Sequence, residues 1–411
     1  MKNKKYNLAV IGGGPAGMMA AGRAAELGSS VVLIEKNDRL GVKLAITGKG
    51  RCNITNAEES LKKLIEVFGV NGKFLYSAFN KLSNNDVVDF FESRGVATKV
   101  ERGNRVFPVS DSSMDVIDCL NNYLREGDVE VRYNSSVREF KFENKQIMKV
   151  VLENGDKISA DKFVIATGGK SYPGTGSTGE AYSWLEKMGH TIVEPQPMLT
   201  PILVKEGFVK ELEGLSLKNV EVSLWDKKKI ASEFGEALFT GNGLSGPIVL
   251  NLSRVISEKK LKNVKIKIDF KPALDYPTLD KRILKDFEEN KKKQFKNSLD
   301  KLMPQKMIPV VIKLSGIDEE KKICDISKEE RKLLVKLLKE FEVTYKSLVG
   351  FDKAIVTAGG VDLKEVDPRT MKSKVIDNLC IVGEVLDVDG PTGGYNLQVA
   401  WSTGFLCGDS I

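Results

Sequence analysis

Residues 6–11 read Tyr-Asn-Leu-Ala-Val-Ile, and Gly12-Gly13-Gly14-Pro15-Ala16-Gly17 follows without a break. A run of helix formers leads to Gly28, and a second apolar run, Val31-Val32-Leu33-Ile34, ends on Glu35. Strand, tight glycine turn, helix and strand in this order hold a dinucleotide. Gly12 makes the turn, Gly14 lets the backbone approach a pyrophosphate, and Gly17 lets helix and strand close up. Pro15 sits early in the helix, where its missing N–H costs nothing. The helix start offers unpaired N–H groups and a positive dipole end to the phosphates. Glu35 comes eighteen residues after Gly17, near the spacing of about 20 at which an acid accepts from a ribose hydroxyl.

At 411 residues, two or three domains with large cores are expected. A net charge of +7 on 63 basic and 56 acidic residues is mild, and nucleic-acid binding does not follow from it. Five cysteines without a C-x-x-C pair and a single histidine, His190, argue against a disulfide framework or a metal cluster. They suit a reducing compartment. The basic residues at 2–5 and the apolar 8–22 imitate a leader peptide, but the glycines and Pro15 interrupt the apolar run and the nucleotide motif accounts for it. No run approaches the roughly 20 apolar residues that cross a bilayer. A cytoplasmic protein without membrane contact is expected.

Further along, 48–56 (Gly-Lys-Gly-Arg-Cys-Asn-Ile-Thr-Asn) makes poor helix or strand and reads as an extended loop against something polar and anionic. Ser83 with Asp86 opens a helix as a capping box. Residues 96–107 read as a hairpin, 114–125 as a helix stopped at Gly127, and 129–167 as short strands with hairpin turns. Residues 174–179 spell a second G-x-G-x-x-G without a strand before it, so they read as a glycine loop opening a helix near 179–188. After Pro195, Pro197 and Pro201 come short segments at 217–225, 237–240, 248–252 and 264–270, the pattern of a small antiparallel barrel. Residues 276–301 and 327–341 are charged helical runs, the second opened by Ser327 and Glu330. From about 353 the strand-and-glycine character returns and ends in a helix at 397–406, aiming a second helix start at the same ligand.

The first glycine turn, the 48–56 stretch, 357–361 and 383–396 together resemble the BaiN/YhiN-type FAD-binding flavoproteins, over nearly the full length. Ala166-Thr167-Gly168-Gly169 resembles, more distantly, the fumarate reductase type. The resemblance implies an α/β fold: a Rossmann-like FAD-binding domain at 1–194 and 350–411, a β-barrel insert at 195–272 and 340–349, and a small helical insert at 273–339. It implies non-covalent FAD held by Gly12, Gly14, Pro15, Ala16 and Gly17 at the pyrophosphate and by Glu35 at the ribose. Lys36 and Lys43 would follow the adenosine and phosphate side, and the backbone of Val137 would meet the adenine. Gly50, Arg51 and Asn53 would run along the ring and ribityl chain, with Thr167, Gly168 and Gly169 beside the cofactor. Gly383, Glu384 and Asp389 would lie on the ribityl or phosphate side. Gly394, Tyr395, Asn396 and Leu397 would meet the N1/O2 edge, where a positive helix end stabilises reduced flavin.

One branch of that family resembles reductases that saturate an enone in a bile-acid intermediate. The expected function is therefore an FAD-dependent oxidoreductase of a small organic substrate, reducing an activated C=C bond. NAD(P)H would visit the flavin transiently, or a carrier protein would supply the electrons. Candidate catalytic groups are Arg51, Cys52, Tyr172 and Tyr395, with Lys49 on the same loop. Bland roles stand beside them: cofactor positioning for Arg51, a buried structural thiol for Cys52, packing for the tyrosines and helix capping for His190. An FAD-dependent tRNA-modifying enzyme and a non-catalytic flavin-binding protein are the alternatives.

Overall fold

The strand Lys5–Ile11 is apolar on both faces because it lies inside a sheet covered on both sides, and Leu8 to Val10 are fully buried. The computed structural model describes residues 5–411, so the basic start of the leader-like pattern at residues 2–4 lies outside the described residues. Two units divide the chain, 1–197 with 354–411, and 198–353.

In the first unit the sheet order is Glu130–Arg132, Val31–Ile34, Lys5–Ile11, Lys157–Ile165, Gln146–Leu152, Val137–Glu143, and Leu379–Ile381 also pairs with Lys157–Ile165. The first four of these and Leu379–Ile381 run parallel, with Ile11 beside both Ile34 and Ile165. The remaining two form the meander. Its third strand proves to be the sheet strand itself: Lys157–Ile165 pairs with the meander at its start and with Leu379–Ile381 at its end. The expected hairpin, Thr98–Glu101 with Arg105–Pro108, gains Thr55–Asn56 as a third strand. Both capping boxes form, at Ser83 with Asp86 and at Ser327 with Glu330.

The first helix, Pro15–Glu26, presents Ala16, Ala20 and Ala24 to the last helix, Tyr395–Asp409, which answers with glycine. A Cβ on Gly404 would stand 2.3 Å from the Ala16 carbonyl oxygen, and one on Gly408 2.6 Å from that of Ala20. Only hydrogen fits there, so the last helix seats on the first at backbone distance. Arg23 clamps the far end through Asp409 at 2.6 Å.

In the second unit, Ile202–Val204, Gly243–Ser245, Lys229–Thr240, Ser216–Trp225, Lys265–Asp269 and Phe341–Leu348 close into a barrel. Residues 248–252, expected as a strand, belong to the helix Pro247–Glu258. Pro247 takes the first helical position, and Ile248, Val249, Leu252 and Ile256 bury one helical face, so a short apolar run misled the period. The expected run 276–301 is helical only over Tyr276–Glu289, and Ile308–Ser315 is a helix not foreseen. Barrel residues Phe239, Ile266 and Phe341 share one core with Leu279, Val311 and Leu334 from these helices. No helix among the described residues is long and apolar enough to cross a membrane.

Replacing Gly404 by valine should destabilise the folded chain by roughly 1–3 kcal/mol, the usual cost of overpacking. Urea unfolding with an unchanged slope and a lowered midpoint is the expected observation.

Candidate cofactor and active site

Three glycines of the first turn are small for three different reasons. Gly12 has φ +105°, and a Cβ there would meet the Ala166 carbonyl oxygen at 2.6 Å. On Gly17 it would reach the Gly12 carbonyl oxygen at 1.9 Å. On Gly14 it would meet nothing within 4 Å. Gly14 is therefore spared a side chain by no neighbour of its own, and its open face is where a diphosphate can come close. Gly14 caps the helix Pro15–Glu26, with Pro15 and Ala16 in its first turn, and no side chain caps this helix start. Its dipole is left for an anion.

Glu35 is buried beside this turn. Its Oε2 accepts from the Gly13 N–H at 2.7 Å and its Oε1 from the Asn37 N–H at 2.8 Å. The same loop anchors the approach to Val137, since the Ser135 N–H donates to the Glu35 carbonyl and that of Asn134 to Asn37. Lys36 donates to Thr178 and Glu180 at 3.0 and 2.9 Å. Lys43 donates to Ser171 Oγ at 2.6 Å and to Glu384 Oε2 at 2.8 Å. Glu384 Oε1 in turn accepts from Ser171 Oγ and the Thr357 N–H, 2.8 and 2.9 Å away. A Cβ on Gly169 would strike Thr357 Oγ1 at 2.4 Å, and one on Gly383 the Ala16 Cβ at 2.8 Å. Residues from 43, 169–171, 357 and 383–384 thus close on the first helix as one body.

The last helix begins in the same unit. Gly394 caps it at φ +96°, its missing Cβ replaced by the Thr55 backbone 2.3 Å away, and no side chain caps this helix either. The Asn53 amide, oriented to satisfy both its ends, accepts from the Gly394 N–H at 2.9 Å and donates to the Thr55 and Val106 carbonyls. Asn56 donates to the Gly393 carbonyl, and Thr55 Oγ1 to Gln398 Oε1 at 2.5 Å. Asn396 closes the loop containing Asp389 by accepting from the Gly390 N–H at 2.8 Å. The Tyr395 ring meets Phe68 edge-on at 6.3 Å, and Leu397 packs on the core.

The 48–56 stretch is wound rather than extended. Residues 47–50 form a short turn, and Gly48, Lys49, Gly50 and Cys52 all carry positive φ. Left-handed backbone costs Lys49 and Cys52 about 1–2 kcal/mol each, so the loop is held by its surroundings. Cys52 is fully buried, and burial pushes its thiol up to about 12. Arg51 is occupied within the protein: it pairs with Glu101 at 2.8 Å and Asp111 at 3.1 Å and lies 4.0 Å over the Phe107 ring. Lys49 is exposed. Tyr172 also adopts left-handed backbone, at φ +51°. Burial raises the Tyr395 hydroxyl above its ordinary value. His190 is buried between Glu365 at 3.1 Å and Ser373 at 2.9 Å, burial holds its pKa down, and its N–H caps the preceding helix on the Leu185 carbonyl.

Ser171, Thr357, Gln398 and Thr403, whose Oγ1 accepts from the Gly383 N–H at 3.1 Å, escaped sequence reasoning because each acts across long separations with no local motif. Among the described residues, two buried hydroxyls have no hydrogen-bond partner, Thr167 Oγ1 and Tyr182 Oη. The Cα of Thr167 stands 3.0 Å from where a Gly12 Cβ would be, at the edge of the glycine turn. An open glycine face, two uncapped helix starts and an orphaned hydroxyl fit a flavin dinucleotide.

Fold and site together define a dinucleotide-binding flavoprotein. The chain belongs to the HI0933-like protein Rossmann domain family, whose model matches residues 6–410. It is 31% identical to a 3-dehydro-bile acid delta(4,6)-reductase of Clostridium scindens over 98% of both chains. It is 30% identical to a ribosomal RNA dihydrouridine synthase of Haemophilus influenzae, covering 98% of this chain and 97% of that one. Among solved structures, a flavocytochrome c3 fumarate reductase aligns at TM-score 0.52 and 17% identity, over 99% of this chain and 78% of that one. The chain is thus an FAD-type, flavin-dependent oxidoreductase by family.

Gly14→Ala should fold with unchanged stability yet bind FAD at least tenfold more weakly. Gly17→Ala should lose stability itself. Flavin absorbance after desalting and thermal melts of the apoprotein separate the two. A thiol reagent at pH 8 should label Cys324, the exposed cysteine, and label all five only after denaturation. The elevated Cys52 pKa leaves that thiol protonated at pH 8.

Proposed function

We propose that this chain is an FAD-dependent, NAD(P)H-driven reductase of a carbon–carbon double bond conjugated to a carbonyl. The names of the two relatives describe one kind of bond. A delta(4,6) unsaturation extends from the 3-keto group of a 3-dehydro steroid. The uracil bond saturated in dihydrouridine is conjugated to a ring carbonyl. Bound FAD would supply the hydride and be recharged by NAD(P)H. The chain's own part is to hold the substrate, stabilise negative charge on its carbonyl oxygen and deliver one proton.

The observation that carries this reading is the start of the last helix: uncapped, backed by Asn53, Thr55 and Asn56, with Tyr395 in its first turn. An uncapped helix start stabilises developing negative charge. Tyr395 Oη makes no hydrogen bond among the described residues, so it is free to donate to a substrate; burial raises its pKa, which keeps the hydroxyl protonated until the reaction develops negative charge beside it. Of the four catalytic candidates, Tyr395 takes that role. Arg51, engaged by Glu101 and Asp111, positions the loop, and Cys52 packs beneath it.

A second reading concerns only the size of the substrate: uracil within structured RNA rather than a free enone. Residues 198–353 contain 32 lysines and arginines against 24 aspartates and glutamates, while the rest of the chain has 31 against 32. The whole positive surplus therefore sits on the inserted unit, as a polyanionic substrate would require.

Anaerobic mixing with NADH and NADPH, then with enones and with uridine-containing RNA, tests the proposal. Reduction of the flavin by a nicotinamide and reoxidation by a conjugated C=C compound are expected. A flavin that neither nicotinamide reduces, or that no such acceptor reoxidises, overturns it. Tyr395→Phe should slow reoxidation about 100-fold and leave the nicotinamide step unchanged.

A further inference from the structure

A groove of about 520 Å³ lies on the inserted unit, lined by Lys218, Asn219, Phe234, Phe270, Lys271 and the 272–274 turn. Its construction is specific. The pairing of Ser216–Trp225 with Lys229–Thr240 slips between Leu217 and Val220, so Lys218 and Asn219 form a bulge, with Asn219 at φ +56°. Bulges re-aim side chains. Phe234, paired with Glu221 on the neighbouring strand, lines the same groove and is 54% exposed, unusual for a large aromatic, while Phe270 is buried on Phe341 at 5.4 Å. The 271–274 turn is fixed by Lys339, which donates to the Lys271 and Leu274 carbonyls at 3.1 and 2.6 Å. The Lys271 N–H donates to Asp269 Oδ1 at 2.8 Å. The groove is therefore preformed. Among the described residues neither the Lys218 nor the Lys271 ammonium enters an ion pair.

We infer that this groove holds one unpaired nucleotide of an RNA strand, its base against Phe234 and its flanking phosphates at Lys218 and Lys271. An exposed aromatic that shares one groove with two cations outside any ion pair suits a base with neighbouring phosphates. A neutral apolar peptide would cover both ammonium groups without compensating them. A free enone has no use for a second aromatic platform outside its reduction site, whereas a strand needs contacts beyond the reacting base. The inference rests on the RNA reading above.

The test uses the full FAD-loaded chain and a fluorescently labelled, unstructured single-stranded RNA, followed by anisotropy at several salt concentrations. Phe234→Ala should weaken binding about 5- to 150-fold, the range for loss of one stacked base, and Phe234→Trp should restore it. The double variant Lys218→Gln, Lys271→Gln should lower the slope of log affinity against log salt by about 1.4, for two phosphates on a single strand. Melting temperatures and NADPH-driven flavin reduction should be unchanged in all three variants. Wild-type affinity and salt slope in both the alanine and the double-glutamine variants would overturn the groove. If those variants still convert uridine to dihydrouridine in RNA like wild type, the RNA reading survives and the groove alone fails. Wild-type protein that binds no RNA, or a groove occupied only by a steroid carboxylate or an acidic peptide, overturns the inference as well.

Discussion

The contact on which the site depends is the backbone-to-backbone approach of the first and last helices. Ala16 and Ala20 on one side and Gly404 and Gly408 on the other leave no room for a methyl group. That closeness brings the uncapped start of Tyr395–Asp409 and the uncapped start of Pro15–Glu26 into a single unit. Two positive helix ends, contributed by opposite ends of the sequence, are what a flavin dinucleotide asks of a protein: one for the diphosphate and one for the ring when it carries negative charge. Glu384 ties the arrangement together by bonding Lys43, Ser171 and the Thr357 backbone at once.

Much of this was legible because local signals agreed. The first glycine turn sits between two strands with an acid at the end, and every physical reason for a glycine at 12 and 17 can be traced to a clash in the folded chain. The second glycine pattern, at 174–179, lacked a leading strand and indeed only opens the helix Glu180–Lys187. Reading failed where the deciding partner is far away. Residues 248–252 are equally apolar as strand or helix, and Pro247 was the signal that mattered. Arg51, expected along the cofactor, is seen to pair with Glu101 and Asp111, fifty and sixty positions on, partners that no local motif announces. Thr167 lies in the 166–169 stretch already expected beside the cofactor, whereas Tyr182 carries no motif, and only burial without a partner among the described residues marks it.

The two relatives look unlike in their substrates, a steroid and a ribosomal RNA. Chemically they differ little, since both present a double bond whose far end is a carbonyl. A site that steadies negative charge on that oxygen and gives back one proton serves either. What must differ is how the rest of the substrate is held. Under the proposed function, electron transfer would fall to the first unit and substrate selection to other surfaces, in the way that one fold supports several activities.

The pairing of distant helices also has a consequence for biosynthesis. The first helix leaves the ribosome long before its mate, and until then its alanine stripe and half-formed sheet, which still lacks Leu379–Ile381, stand open. The chain between them supplies a barrel with its own core, able to condense in the interval. Long-range closure of this kind is slow, and the first unit can complete its sheet and its helix pair only once the last residues of the chain have emerged.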